Sequence, residues 1–269
     1  PTSISVAPAS SVTAYGKVTS ILSERSLGAY FADESLAVVI KQNGSIARQK
    51  SDGVWESLNQ GLSDGASFTS LGAADDDTLW GCDINNNLWE FKSDTSSWSK
   101  VLLAPSTGAV AKITAGGATN IWALSKDGTL FQRFQDGEST SWKVPDTAVG
   151  SGGIRDVSAA TDGTVFAISN DNKIFIGTKT QSGYSFSQFC SPLELVGQPP
   201  YTIAAGSKSF VAFSTPSDEV YVLVTGKPGN TKDSWKKLTL KDQSNPLKLR
   251  SFSAYKNSSI VGVVSNSGK

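Results

Sequence analysis

One short segment recurs along this chain at a nearly constant interval, and that interval leaves few folds open. Copies begin at Ser35 (SLAVVI), Thr78 (TLWGCD), Asn120 (NIWALS), Thr164 (TVFAIS), Ser209 (SFVAFS) and Ser259 (SIVGVV). Each opens on a small polar residue, continues with an apolar one, and most place Gly or Ala fourth. Successive starts lie 43, 42, 44, 45 and 50 residues apart, and the path from Ser259 through the C-terminus back to Ser35 adds another 45. The steps close on the full length of 269 residues. A linear solenoid has no reason to show that closure and wants polar capping repeats at its ends, whereas a circular array shows it by construction.

Inside each unit the pattern reads as four short strands, most clearly in the third. Lys112 to Ala115 is strand A, Gly116-Gly117 turns, and Asn120 to Ser125 is strand B. Lys126-Asp127-Gly128 then turns into strand C, Thr129 to Phe134, because Asp-Gly between β-rich runs is a strong hairpin signal. Gln135 to Thr140 reads as a loop, and Trp142-Lys143-Val144 as strand D. Four strands in about 45 residues is the signature of a propeller blade. The chain is therefore expected to be all-β, a single six-bladed β-propeller of four-stranded antiparallel blades spanning 1–269. The blades fall at 17–62, 66–104, 110–147, 154–196, 200–243, and 248–269 plus 1–16. The last is a composite, with Leu249 to Ala254 and Ser259 to Ser265 completed by Thr2 to Ala7 and Val12 to Tyr15. Such closure removes an exposed sheet edge.

Strand B is covered on both faces by neighbouring blades, so it is apolar without alternation. A wide residue at its third place (Trp80, Trp122, Phe166) beside Gly81, Ala123 or Ala167 puts large and small side chains on opposite faces, so that neighbouring blades interdigitate. Aromatics recur on strand C (Trp89, Phe131, Phe175, Tyr221) and at the start of strand D (Trp55, Trp98, Trp142, Phe186, Trp235). Those on B and C read as packing. Strand D is outermost, where burial demands least, and its tryptophans suit stacking on the apolar face of a sugar while the N–H reaches a hydroxyl. The alternative is that they seal the blade edge. The loops at the same end of the blade carry Asp94, Asp136, Glu138, Asp162, Asp233 and Asp75-Asp76-Asp77. The candidate sugar site is accordingly Trp55, Trp98, Trp142 and Trp235 with Asp94, Asp136 and Asp233. The Asp75 run lacks the alternate spacing of a calcium loop and reads as a solvated turn. On the opposite rim, Asn85-Asn86-Asn87, Asn170-Asp171-Asn172 and Gln42-Asn43-Gly44 are turn-forming runs that need no function to explain them.

Composition narrows the partners. The 24 basic and 24 acidic residues cancel with no long run of either sign, which argues against nucleic acid and anionic membrane. The absence of histidine removes the commonest general base and zinc ligand, so no metal or cofactor is expected. Cys82 and Cys190 are too few for a disulfide framework and read as buried free thiols. No apolar run approaches the ~18 residues of a membrane helix, and the N-terminus has no basic head followed by an apolar stretch. A start at Pro1 fits the expected cytoplasmic product with its initiator trimmed, and a secreted protein with its signal removed would look the same. Asn43-Gly44-Ser45 and Asn257-Ser258-Ser259 are acceptor triplets that keep a secreted reading open.

The run W-x-x-V, I-x-A-G, I-W-A-L-x-x-D-G-x-L-F, present as Trp98 to Val101, Ile113 to Gly116 and Ile121 to Phe131, resembles the tectonin repeat. The match is good over 66–178, weaker in blade five and poor in blades one and six. The resemblance implies a six-bladed propeller lectin with repeated glycan sites, directed in some members at O-methylated glycans of bacteria and nematodes. The implied partners are glycans on glycoproteins, glycolipids, or microbial and nematode surfaces. Fungal fucose-binding propellers also have six blades, but their sites resemble a repeated Arg, and here Arg25, Arg48, Arg133, Arg155 and Arg250 do not fall at equivalent places. A sialidase-like enzyme would need three convergent Arg and an S-x-D-x-G-x-x-W box, which is missing, so no enzyme activity is expected. A protein-interaction scaffold remains a rival, since fold does not settle role.

Overall fold

The computed structural model describes residues 26–31, 37–41, 44–50, 54–62, 66–74, 78–101, 108–136, 139–145, 149–150, 152–181, 183–224, 226–238, 241–242, 245–246, 248–255 and 259–265. They form antiparallel sheets whose strands pair in chain order. Blade one is β1 (Ser26–Phe31), β2 (Ala37–Lys41), β3 (Ile46–Gln49) and β4 (Trp55–Ser57). Blade two is β5 (Phe68–Ala73), β6 (Leu79–Asp83), β7 (Leu88–Lys92) and β8 (Ser97–Val101). Blade three is β9 (Val110–Gly117), β10 (Asn120–Ser125), β11 (Leu130–Asp136) and β12 (Ser139–Lys143). Blade four is β13 (Ile154–Ala159), β14 (Val165–Ser169), β15 (Ile174–Lys179) and β16 (Tyr184–Cys190), and a short helix α1 (Pro192–Val196) leads out of it. Blade five is β17 (Ile203–Ser207), β18 (Phe210–Ser214), β19 (Val220–Leu223) and β20 (Trp235–Leu238). A two-residue pair, β21 (Lys241–Asp242) with β22 (Asn245–Pro246), precedes the pair β23 (Lys248–Tyr255) and β24 (Ser259–Ser265).

The protein is thus an all-β propeller, with five four-stranded blades among the described residues rather than the six expected. The β23–β24 pair lies between β1 and β17, and Phe252 of β23 shares a buried cluster with Ala204 and Ala212 of blade five. The strands expected at 2–7 and 12–15 lie outside the described residues, as do Asp75-Asp76-Asp77, Asn43 and Asn257.

One turn is repeated five times and pins the register. At the B to C connection of every blade a left-handed residue occurs at the same place: Gly44, Asn86, Gly128, Asn172 and Asp218, with φ of 78, 63, 86, 64 and 60°. Each turn closes with the same two backbone bonds, such as Gly128 N–H to Ser125 O and Ser125 N–H to Thr129 O. Gly, Asn and Asp tolerate that conformation where branched residues do not. Counting back six residues from each turn gives Val38, Trp80, Trp122, Phe166 and Ala212. The repeat read from sequence put Ala37 and Val211 in those places, so its first and fifth copies are one residue out of register. In a strand one residue flips every side chain to the other face. Val38 therefore faces blade two, and Ala212 faces the last hairpin.

The core is divided among the junctions between blades. Trp80, Trp122 and Phe166 are buried as expected, and Ala123 and Ala167 share clusters with the indoles of the preceding blades. Gly81 differs: the Phe68 ring of its own blade, not a neighbour's side chain, occupies the space beside it. The loop expected at 135–140 is instead mostly strand, with β11 and β12 paired as far as Asp136 opposite Ser139. Cys82 and Cys190 are free and buried. Burial pushes the Cys190 thiol up to about 12, and burial with the nearby Asp83 charge pushes Cys82 up to about 11.

Candidate functional site

The strand D aromatics occupy one register position in all five blades. Trp55 lies opposite Gln49, Trp98 opposite Phe91, Trp142 opposite Arg133, Phe186 opposite Gly177 and Trp235 opposite Leu223. Burial on this outer strand is greater than expected. Trp98 is 3% exposed, packs on Phe68 and Phe91, and donates its indole N–H to Leu58 O of blade one at 2.6 Å. Trp235 is 6% exposed, packs edge-on against Phe213, and donates to Gly229 O at 2.7 Å. Both indoles are committed to packing and to backbone carbonyls. Trp55 and Trp142 are half-buried, and neither N–H has a partner among the described residues.

The acidic candidates are dispersed. Asp94 is exposed and accepts the Thr95 N–H at 2.7 Å. Asp233 is exposed and ion-paired with Lys227 at 3.0 Å, and this pair holds its carboxyl below the usual range. Asp136 ends β11 opposite Ser139. Neither Asp94 nor Asp233 is shown against a strand D indole.

The junction of blades two and three is different. The Trp142 ring meets Trp80 edge-on with centroids 6.3 Å apart, and the Arg133 guanidinium lies over the Trp80 ring at 4.9 Å. Glu90, the cross-strand neighbour of Trp80, is half-buried with Lys92 at 3.9 Å. Trp80 Nε1 is buried without a hydrogen-bond partner. Sequence reasoning assigned Trp80 to packing and missed Arg133 and Glu90. A signal was available: Arg133 stands where blades two and five carry Phe91 and Leu223.

The innermost strands enclose an axial channel lined by Leu71, Thr114, Ser158, Ala204 and Ser253 among others. The free space these residues enclose is about 40 Å³, room for a few waters. Among the described residues no group of three or more His, Cys, Asp or Glu is placed to hold a metal, and no helix is long and apolar enough to cross a membrane.

A family model for the Tectonin domain matches residues 32–265. The chain belongs to the tectonin family. No curated protein matches this tectonin by sequence. Among solved structures it is similar to virginiamycin B lyase from Staphylococcus aureus, at 13% identity and a TM-score of 0.55 over 88% of this chain and 76% of that one. It is also similar to YCF48 from Cyanidioschyzon merolae, at 12% identity and a TM-score of 0.54 over 90% and 80%. At such identities the likeness is one of propeller fold, and it assigns this tectonin neither a lyase reaction nor a binding partner.

Proposed function

We propose that this tectonin is a carbohydrate-binding protein whose sites repeat at the outer edges of its blades. The observation that carries the reading is Trp142: an indole at the repeated strand D position, half-buried, with no N–H partner among the described residues and with Arg133 beside it on the same face. A pyranose needs this combination, a ring for its apolar face and donors for its oxygens. Trp55 repeats the half-buried indole in blade one. Trp98 and Trp235 support the edge without offering their N–H groups. The ligands would be surface glycans, including foreign ones met in defence, with the protein acting in the cytoplasm or after secretion. Glycan-array binding competed by free sugar supports the reading, and capture of a single protein partner insensitive to sugar overturns it in favour of a scaffold.

A further inference from the structure

Comparing one junction with the next shows what the junction of blades two and three lacks. At the junction of blades three and four, the Trp122 N–H donates to Asn120 Oδ1 at 2.7 Å. Asn120 is fixed in turn by donating to Ala160 O and Thr164 O, at 2.7 and 3.0 Å. The Tyr184 hydroxyl, 3.1 Å from the same Oδ1, donates to Gly163 O at 2.8 Å. That indole is fully satisfied and covered. One blade earlier the equivalent of Trp122 is Trp80, two residues after Thr78 rather than after an Asn, and the equivalent of Tyr184 is Thr140. Both substitutions replace a longer polar side chain with threonine, and the Trp80 N–H is left without an acceptor.

The buried, unpartnered Trp80 N–H thus lies at a junction that also holds the Arg133 guanidinium, over the Trp80 ring, and the Trp142 indole, edge-on to it. A buried donor left unpaired is costly, and an occupant that brings an acceptor removes the cost. Glu90 adds one carboxylate on the same face, which can accept from hydroxyls and disfavours an anionic occupant. Arg133, lying on the indole, is the group that must move aside. We infer that the junction of blades two and three, framed by Trp80, Trp142, Arg133 and Glu90, opens as Arg133 moves aside and binds a neutral, hydroxyl-rich pyranose whose oxygens accept from Trp80 and Trp142, while Asn120 and Tyr184 plug the equivalent junction of blades three and four.

This inference rests on the carbohydrate reading, so its test must separate the two. The seven tryptophans give indole N–H signals that ¹⁵N-correlated NMR resolves, assigned with Trp80→Phe and Trp142→Phe. The probes are the methyl glycosides of glucose, galactose, mannose, fucose and N-acetylglucosamine, with methyl glucuronide as the acidic arm. A neutral glycoside is expected to shift the Trp80 and Trp142 signals together and saturably, leaving Trp122 in place. Thr78→Asn, which supplies the acceptor that Asn120 supplies to Trp122, is expected to weaken that response at least tenfold without lowering the melting temperature. Trp80→Phe covers the case in which Thr78→Asn fails to fold, and is expected to weaken the Trp142 response tenfold. Glycoside binding that moves other indoles but not Trp80 overturns this site and leaves the carbohydrate reading standing. A response to the glucuronide alone overturns the neutral class, and no response to any glycoside overturns both.

Discussion

Phe186 of blade four meets Trp122 of blade three edge-on, ring centroids 5.9 Å apart and planes at 89°. The next pair of junction aromatics toward the N-terminus, Trp142 and Trp80, repeats the arrangement at 6.3 Å and 80°. The aromatic that begins strand D thus holds down the central side chain of the preceding blade. This contact gives the outer strand a structural task, and binding can use only the indoles that the task leaves partly open.

Trp98 carries that task fully. Trp98→Ala removes a buried ring and the bond to Leu58 O, and the loss expected for such a truncation is about 3 to 5 kcal/mol. Urea unfolding followed by circular dichroism measures it. A loss below about 1 kcal/mol would show that the edge is not tied down by this ring.

Trp142 carries it only in part. Trp142→Ala is expected to leave the fold intact while weakening retention on a dense glycan surface, where linked sites raise avidity by about 10² to 10⁴. Free-sugar affinity at other sites should hold. Calorimetry beside surface retention compares the two, and normal retention by a folded variant removes Trp142 from the site.

Gly116 of β9 lies against the residue that follows β13. A Cβ built on Gly116 overlaps the Ala160 carbonyl of blade four. Because the obstacle is backbone, Gly116→Ala should cost about 1 to 3 kcal/mol, as overpacking does. An unaltered denaturation midpoint would mean that the blades can separate there freely.

Acid should loosen the B to C turns. The Ser125 hydroxyl, donating to Asp127, and the Ser169 hydroxyl, donating to Asp171, hold both carboxyls below their ordinary value of 3.8. A group with a lowered folded pKa stabilises above its unfolded pKa and loses that contribution as pH falls through the folded value. Stability from these turns is therefore level from pH 7 to about 5 and declines below about 4. The variant Asp127→Asn with Asp171→Asn should show a shallower decline in thermal melts. An identical acid profile would exclude the turns as its source.

The last described sheet has only β23 and β24. If residues 1–16 complete it, deleting the first ten residues should lower the melting temperature of the entire ring rather than trim a tail. Melting at the unaltered temperature would show that the hairpin needs no such partner.

Much of this architecture was legible in the chain because its signals are local. The repeat interval, the Asn and Gly turns and the aromatic at the start of strand D depend on neighbours within one blade, and Trp55, Trp98, Trp142, Phe186 and Trp235 fall in one register as their spacing says. Register in the first and fifth copies was not legible, since the segments around Ser35 and Ser209 align almost equally well one residue apart. The left-handed residues Gly44 and Asp218 decide it. Which tryptophans stay open was not legible either. Trp98 and Trp142 begin strand D in the same local pattern, and only the arrival of Leu58 O at one, and of Trp80 with Arg133 at the other, separates a buried indole from an available one. Sequence alone determined the blade and its repetition, because hydrophobic spacing and turn chemistry act over a few residues. Tertiary structure decided the site, because burial and hydrogen-bond satisfaction are set by side chains that the ring brings together from ~40 residues away.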